Sequence, residues 1–223
     1  MNKELQKRIL SSIVIICIIA FSFTLHKYLW AVCILTCCIL SWLEWVNIVK
    51  KIKIKNSLFE ILSYFFSFLY LLFAGIIFYL SLFNPYVFIL FVSVCVFSDI
   101  GGYVFGKIIG GKKLTKISPN KTISGSIGWF IFSFAIFYLV LNFYLESEIV
   151  NKKLSLFWSV PFILSFINQL GDLFISFFKR KAKIKNTSKL IPGHGGLLDR
   201  IDGIIFAYPL TILLMYFFVW KWK

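Results

Sequence analysis

The sequence predicts an all-α, polytopic integral membrane fold with about seven transmembrane helices and a cytoplasmic N-terminus. Three observations carry this expectation. Apolar runs of 18 or more residues recur along the whole chain, and 60% of its 223 residues are hydrophobic, 27 of them Phe. Runs of that length cross a bilayer, and a water-soluble domain would expose too much apolar surface. Lys and Arg, 24 in all against 9 Asp and Glu, collect in the gaps between the runs.

The spans fall at roughly 9–25, 28–48, 58–82, 85–108, 126–145, 155–178 and 199–220. The first follows Lys3, Lys7 and Arg8 and has the look of a signal peptide. It lacks a small-residue cleavage site and is long enough to span, so it is expected to be retained. The second follows His26 and Lys27 and carries Glu44 between Trp42 and Trp45. Asn84 separates the third from the fourth. In the fourth, Asp99, Gly101 and Gly102 lie well inside the run, so this helix is expected to break or end early. Polar links at 109–125, 146–154 and 179–198 introduce the last three spans. The whole, 1–223, reads as a single membrane domain, with N-terminal spans at about 9–82 and the chemistry-bearing half at about 85–220.

Charge sets the orientation. With the N-terminus inside, the inner segments hold 3 Lys or Arg at the N-terminus, 4 at 50–55, 5 at 107–121 and 7 at 179–200, which is 19 of the 24. The other side keeps Lys27, Lys152, Lys153, Lys221 and Lys223. That asymmetry obeys the positive-inside rule. The formal net charge of +15 therefore points to anionic lipid and topology rather than nucleic acid, for which no module is present. Cys17, Cys33, Cys37, Cys38 and Cys95 all fall in apolar segments and read as small apolar side chains, with no disulfide framework.

Apart from Glu4, Glu146 and Glu148, six acids lie near or within spans: Glu44, Glu60, Asp99, Asp172, Asp199 and Asp202. A carboxylate in hydrocarbon costs roughly 2.5–3.5 kcal/mol even on lenient insertion scales, so such groups persist when paired, metal-bound or facing a wet cavity. Asp172, Ser176 and Lys179 share one helical face, which fits either an internal ion pair or a site. Asp199 and Asp202, three apart, repel each other unless a cation lies between them. A hard divalent ion that keeps waters and substrate phosphates suits them, as does neutralisation by Lys179, Arg180 and Arg200. The run Pro192-Gly193-His194-Gly195-Gly196 reads as a phosphate cradle, since glycines let backbone N–H groups approach a ligand. Ser118, Lys121 and Thr122 form a second polar segment at a helix start. It suits a polyphosphate or a simple cap with topology charge. Glu44 and Glu60 receive no role.

Residues 176–202 carry a resemblance to a known family. Ser176, Lys179-Arg180, Lys185, Pro192, His194-Gly195-Gly196 and Asp199-Arg200-Ile201-Asp202 stand in the order and spacing of the signature of the integral-membrane phosphatidate cytidylyltransferases, or CDP-diglyceride synthases. Ser98-Asp99 with Tyr103 and Phe105-Gly106, Ser118-Pro119-Asn120-Lys121-Thr122, and Gly171-Asp172-Leu173 resemble upstream segments of the same family. The likeness covers roughly 95–205. The chain departs from it at Asn186, where an Asp is usual, at Lys107 for Arg, at Ser124 for an acid and at Trp129 for Gly.

The resemblance implies that CTP and phosphatidate give CDP-diacylglycerol and pyrophosphate with Mg²⁺, and it leaves room for a second, monovalent cation. It implies metal binding by Asp172, Asp199 and Asp202, and catalytic roles for Asp172, Asp199, Lys179 and Arg200. It implies substrate contacts from Ser118, Lys121, Thr122, Ser176, Arg180, His194, Gly195 and Gly196. The lipid bilayer is a further partner, nucleic acid is not one, and a homodimer is expected. The site would face the cytoplasm from a bacterial inner (plasma) membrane, a placement that the Ile-, Lys-, Asn- and Phe-rich composition also favours. Two alternatives belong to other classes. A CDP-alcohol phosphotransferase would show four Asp spread along two helices, which is absent. A transporter or lipid-binding protein would more often show paired broken helices in related halves, and the sequence offers one candidate break.

Overall fold

The computed structural model describes residues 3–52, 57–115, 118, 121–144 and 158–217. Pro119, Asn120, Glu146, Glu148, the 146–154 link, the outer ends of the last two spans, and Lys53, Lys55, Lys116, Lys152, Lys153, Lys221 and Lys223 lie outside the described residues. Among those described, every extended regular element is a helix. The elements are α1 (Lys3–Leu25), α2 (Lys27–Ile52), α3 (Ser57–Leu80), α4 (Pro85–Ile108), α5 (Ile123–Tyr144), α6 (Ser159–Lys181), α7 (Leu198–Ile201) and α8 (Ile204–Met215), with one 3₁₀ turn at Ser81–Phe83.

Among the described residues five helices are long and apolar enough to cross a membrane: Lys27–Ile52, Ser57–Phe83, Pro85–Ile108, Ile123–Asn142 and Ser159–Lys181. Two shorter apolar helices, Leu10–Leu25 and Ile204–Met215, stand where the first and last spans are expected. Leu10, Ile16, Phe21, Phe59, Phe66 and Ile76 are among many large apolar side chains left exposed. Such a surface belongs in lipid, where every backbone polar group must be satisfied within a helix.

The chain divides into two compact units, Met1–Phe83 with Phe177–Asp202, and Asn84–Ser176 with Gly203–Lys223. In the first, α2 packs on α3 through indoles that hydrogen-bond across the pair. Trp30 Nε1 donates to the Phe78 carbonyl at 3.1 Å, Trp42 Nε1 to the Tyr64 carbonyl at 3.2 Å and Trp45 Nε1 to Ser63 Oγ at 3.3 Å. A buried indole N–H needs such a partner. Tyr64 hydroxyl donates to Glu60 one turn earlier, which accounts for that acid locally.

The second unit is built on α4 against α5. The expected break in α4 does not occur: the helix runs unbroken from Pro85 to Ile108. Gly101 and Gly102 serve close packing instead. A Cβ on Gly101 would lie 2.5 Å from the Gly128 carbonyl oxygen of α5, and one on Gly128 would lie 2.5 Å from the Gly101 carbonyl oxygen. A Cβ on Gly102 would collide with the Trp129 indole. Small residues of this kind let two membrane helices approach backbone to backbone. Polar contacts then tie α6 to the pair. Ser133 Oγ meets Ser165 Oγ at 3.4 Å, Gln169 Nε2 donates to Ser126 Oγ at 3.4 Å, and Asn168 Nδ2 donates to Asp99 Oδ1 at 3.0 Å.

The last span also differs from expectation. The helix starting at Leu198 stops after Ile201, and the apolar helix begins at Ile204. Gly203 sits against Asn168, where a side chain would overlap the amide.

Candidate functional site

In the first unit, the site starts from the end of α6. The Lys183 N–H bonds to the Arg180 carbonyl at 3.0 Å and the Ile184 N–H to the Lys179 carbonyl at 3.0 Å, with Lys183 at φ 57°. This is a Schellman cap closed by a lysine rather than the usual glycine. It turns the chain sharply and leaves Lys179 in the last helical turn, where its side chain is buried. Lys179 Nζ donates to Asp199 Oδ1 at 2.7 Å and lies 4.0 Å from Asp202 Oδ2. The cation between the two Asp carboxylates is thus the Lys179 ammonium. Arg180 is exposed.

Asp199 is densely bonded within this unit. Its Oδ2 accepts from the Thr187 N–H at 2.8 Å and the Gly196 N–H at 3.0 Å, and Thr187 Oγ1 lies 3.0 Å from it. It lies ahead of the last apolar helix. Burial works against its charge, but Lys179 and the two backbone N–H groups outweigh that and hold the carboxyl below its ordinary value.

The glycine turn folds on itself. Ile191 and Gly195 exchange N–H···O bonds at 2.7 and 3.1 Å, with Gly193 at φ 75° and Gly195 at φ 93°. Those positive values suit glycine at both places. The expected backbone cradle is not what the turn provides. The N–H groups of His194 and Gly195 go to the Ile191 carbonyl, that of Gly196 to Asp199, and those of Leu197 and Leu198 to Glu44. The turn positions side chains instead. His194 Nδ1 is 2.7 Å from Ser11 Oγ and its Nε2 is 3.4 Å from Ser12 Oγ, and Arg200 Nη2 donates to the His194 carbonyl at 2.9 Å. Asn186 packs on this turn, its Cβ and Cγ both 3.1 Å from where a Gly195 Cβ would be.

Sequence reasoning left out Glu44, Thr187 and Ser188. Glu44 is 5% exposed and accepts from Thr187 Oγ1 at 2.7 Å and Ser188 Oγ at 2.6 Å, besides the two N–H groups above. Its signal was present as an acid inside an apolar run, but the partners are more than 140 positions away in sequence.

In the second unit, Lys121 pairs with Asp172 and sits over the Trp129 ring, 4.4 Å from its centroid. A cation on the face of a buried indole is held by the ring quadrupole. Asp172 Oδ1 also accepts from Ser176 Oγ at 3.2 Å. Of the two partners open to Asp172 by sequence, an internal lysine or a site cation, the structure gives it Lys121, and Lys179 goes to Asp199. Thr122 Oγ1 accepts from the Gly125 N–H at 3.1 Å and so caps α5. Ser118 contributes its carbonyl to the Lys121 N–H at 3.1 Å. Thr122 and Ser118 therefore shape the loop that presents Lys121.

The donor chemistry fits a hard divalent cation. Among the described residues no three His, Cys, Asp or Glu side chains gather. Mg²⁺ commonly takes only one or two protein carboxylates and completes its shell with water and substrate phosphate. Asp199 Oδ1 accepts from Lys179, whose Nζ also lies 4.0 Å from Asp202 Oδ2. In the second unit Asp172 and Asp99 are oxygen donors, and the buried Asn168 Oδ1 has no hydrogen-bond partner.

Compared with known proteins, residues 62–218 match the Cytidylyltransferase family. Over 119 residues the chain is 43% identical to a protein named phosphatidate cytidylyltransferase from Staphylococcus haemolyticus (strain JCSC1435). Over the same length it is 42% identical to one of that name from Staphylococcus aureus (strain COL). Each match covers 53% of this chain and 44% of the relative, so the chain spans a little under half the length of the curated relatives it matches. The family match takes in Lys121, Asp172, Lys179 and the Asp199–Asp202 pair together, and on it the chain belongs to the cytidylyltransferase family.

Proposed function

We propose that the protein is a phosphatidate cytidylyltransferase, which transfers CMP from CTP to phosphatidate and releases pyrophosphate. The observation that carries this reading is the buried Lys179–Asp199 pair, set in a signature segment inside the residues matched to the family. The relatives bearing that name support it.

A phosphatidate oxygen attacks the α-phosphorus of CTP, forming a P–O bond. The bond from that phosphorus to the bridging oxygen breaks, and its electron pair leaves with pyrophosphate. A phosphate monoester is already largely ionised near neutral pH, so little general-base help is needed. What the chain must supply is alignment and positive charge. Lys179, Arg180 and Arg200 in the first unit, and Lys121 in the second, each supply positive charge for anionic phosphate. An ammonium has three donors, and Lys179 spends one on Asp199, which fixes its direction while leaving capacity for phosphate. His194 and the turn around it position the nucleotide, and Ser176 holds Asp172. On the signature segment Asp199 and Asp202 would hold Mg²⁺, which when bound neutralises phosphate charge and orients the leaving group, and Asp172 offers carboxylate oxygen to a cation within its own unit.

The bilayer supplies one substrate and the cytoplasm the other, in a bacterial plasma membrane with the basic segments inside. A homodimer belongs to the same proposal. The test is to give membranes containing the protein radiolabelled CTP and phosphatidate, with and without Mg²⁺. Metal-dependent label in a CDP-linked lipid is expected. No labelled lipid, or label entering lipid only when CDP-diacylglycerol and an alcohol replace CTP, would overturn the reading.

A further inference from the structure

We infer that Glu44 is a positioning residue for Asp199, acting as a clamp on the loop that carries the signature. The inference rests on the reading above, in which Asp199 serves nucleotide transfer. Glu44 lies on α2, outside the residues matched to the family. A carboxylate buried there is tolerated only if its oxygens are fully bonded. All four of its donors come from one loop: Thr187 Oγ1 and Ser188 Oγ from the start, and the Leu197 and Leu198 N–H groups from the end. An ionised carboxylate has about four acceptor sites, so Glu44 is saturated by the loop and is no ligand for substrate.

The loop ends that Glu44 holds are those that hold Asp199. Thr187 N–H and Gly196 N–H both point at Asp199 Oδ2. The Thr187 hydroxyl lies between the two carboxylates, 2.7 Å from Glu44 Oε2 and 3.0 Å from Asp199 Oδ2. It has a single proton, and the shorter contact gives that proton to Glu44. Asp199 then relies on the two backbone N–H groups that Glu44 keeps in place. Gly196 completes the fit: a Cβ there would overlap Thr187 Oγ1 and come within 2.5 and 2.6 Å of the Glu44 oxygens.

The experiment compares the full chain with E44Q, T187V, T187S and the E44Q/T187V double variant in detergent-solubilised membranes. It reads CDP-lipid formation as separate kcat and KM for CTP, and tryptic cleavage after the exposed Lys185 and Lys189. Outer-sphere partners of this kind typically change activity by roughly 10–100-fold, so E44Q and T187V should each lower kcat by that order while KM moves little. The double variant should be no worse than E44Q alone, because both act through one arrangement. T187S should recover activity. Cleavage in the loop should speed up in E44Q and T187V and stay slow in T187S. Full activity with an unchanged cleavage pattern in E44Q overturns the clamp. So does lost activity without faster cleavage, or a double variant whose losses multiply. If E44Q fails to fold, the contrast between T187V and T187S decides. If the wild-type chain makes no CDP-lipid, the functional reading fails, and the cleavage arm still tests the clamp by itself.

Discussion

Asp199 and Lys179 form a pair in which both side chains are largely out of solvent, at 7% and 10% exposure. Removing one partner leaves the other charged and buried, which typically costs 3–5 kcal/mol. K179M should therefore lower stability by about 3 kcal/mol, read by thermal unfolding in detergent, with K179R retaining much of it. D199N keeps the size of the side chain and one carbonyl oxygen, so the protein should still insert. It should lose roughly 100-fold in CTP-dependent lipid product, and near-normal turnover would remove Asp199 from the chemistry. The aspartates of the signature stood out in the sequence as acids at an apolar edge, three positions apart, that need a nearby cation. Their partners were not, because Thr187 and Glu44 meet Asp199 only through the folded loop.

At the scale of elements, the pairing of α4 with α5 rests on glycines facing each other across the interface. Gly101 and Gly128 would each place a Cβ 2.5 Å from the other's carbonyl oxygen. Backbone cannot yield as a side chain can, and overpacking of this sort costs about 1–3 kcal/mol. G101A and G128A should each lower the unfolding midpoint in detergent, while I127A, at an exposed position of α5, should leave it nearly unchanged. A drop of equal size in I127A would show that the loss is not specific to the glycine contact, since alanine raises helix propensity at all three positions. The hydrophobic runs foretold these helices well, because length and apolarity are local properties. The same sequence signal, a Gly-Gly step beside Asp99, misled about continuity. A glycine that breaks a helix and one that admits a neighbour look alike until the neighbour is placed.

For the whole molecule, the distribution of basic residues predicts a topology that can be measured. In a background with the five native cysteines replaced by Ala, K185C should resist a membrane-impermeant thiol reagent in intact cells, and Y28C should react with it. Both positions are exposed in this chain. Labelling of K185C from outside would invert the orientation and move the proposed site to the other face.

By itself the sequence determined the membrane class, the approximate position of the apolar helices, the family likeness over 176–202 and the places where acids and bases stand beside apolar runs. Each of these depends on composition, run length or local spacing, which the folded state does not alter. Only the tertiary structure decided how those residues are used. It assigned Lys179 to Asp199 and Lys121 to Asp172, turned the glycine segment from an expected cradle into a self-bonded turn, and carried α4 unbroken past Asp99. It also brought Glu44 to the loop 143 to 154 positions away. The reason is the same throughout: a buried polar group must find partners, and which partners lie within 3 Å is settled by packing between distant segments rather than by neighbours in the chain.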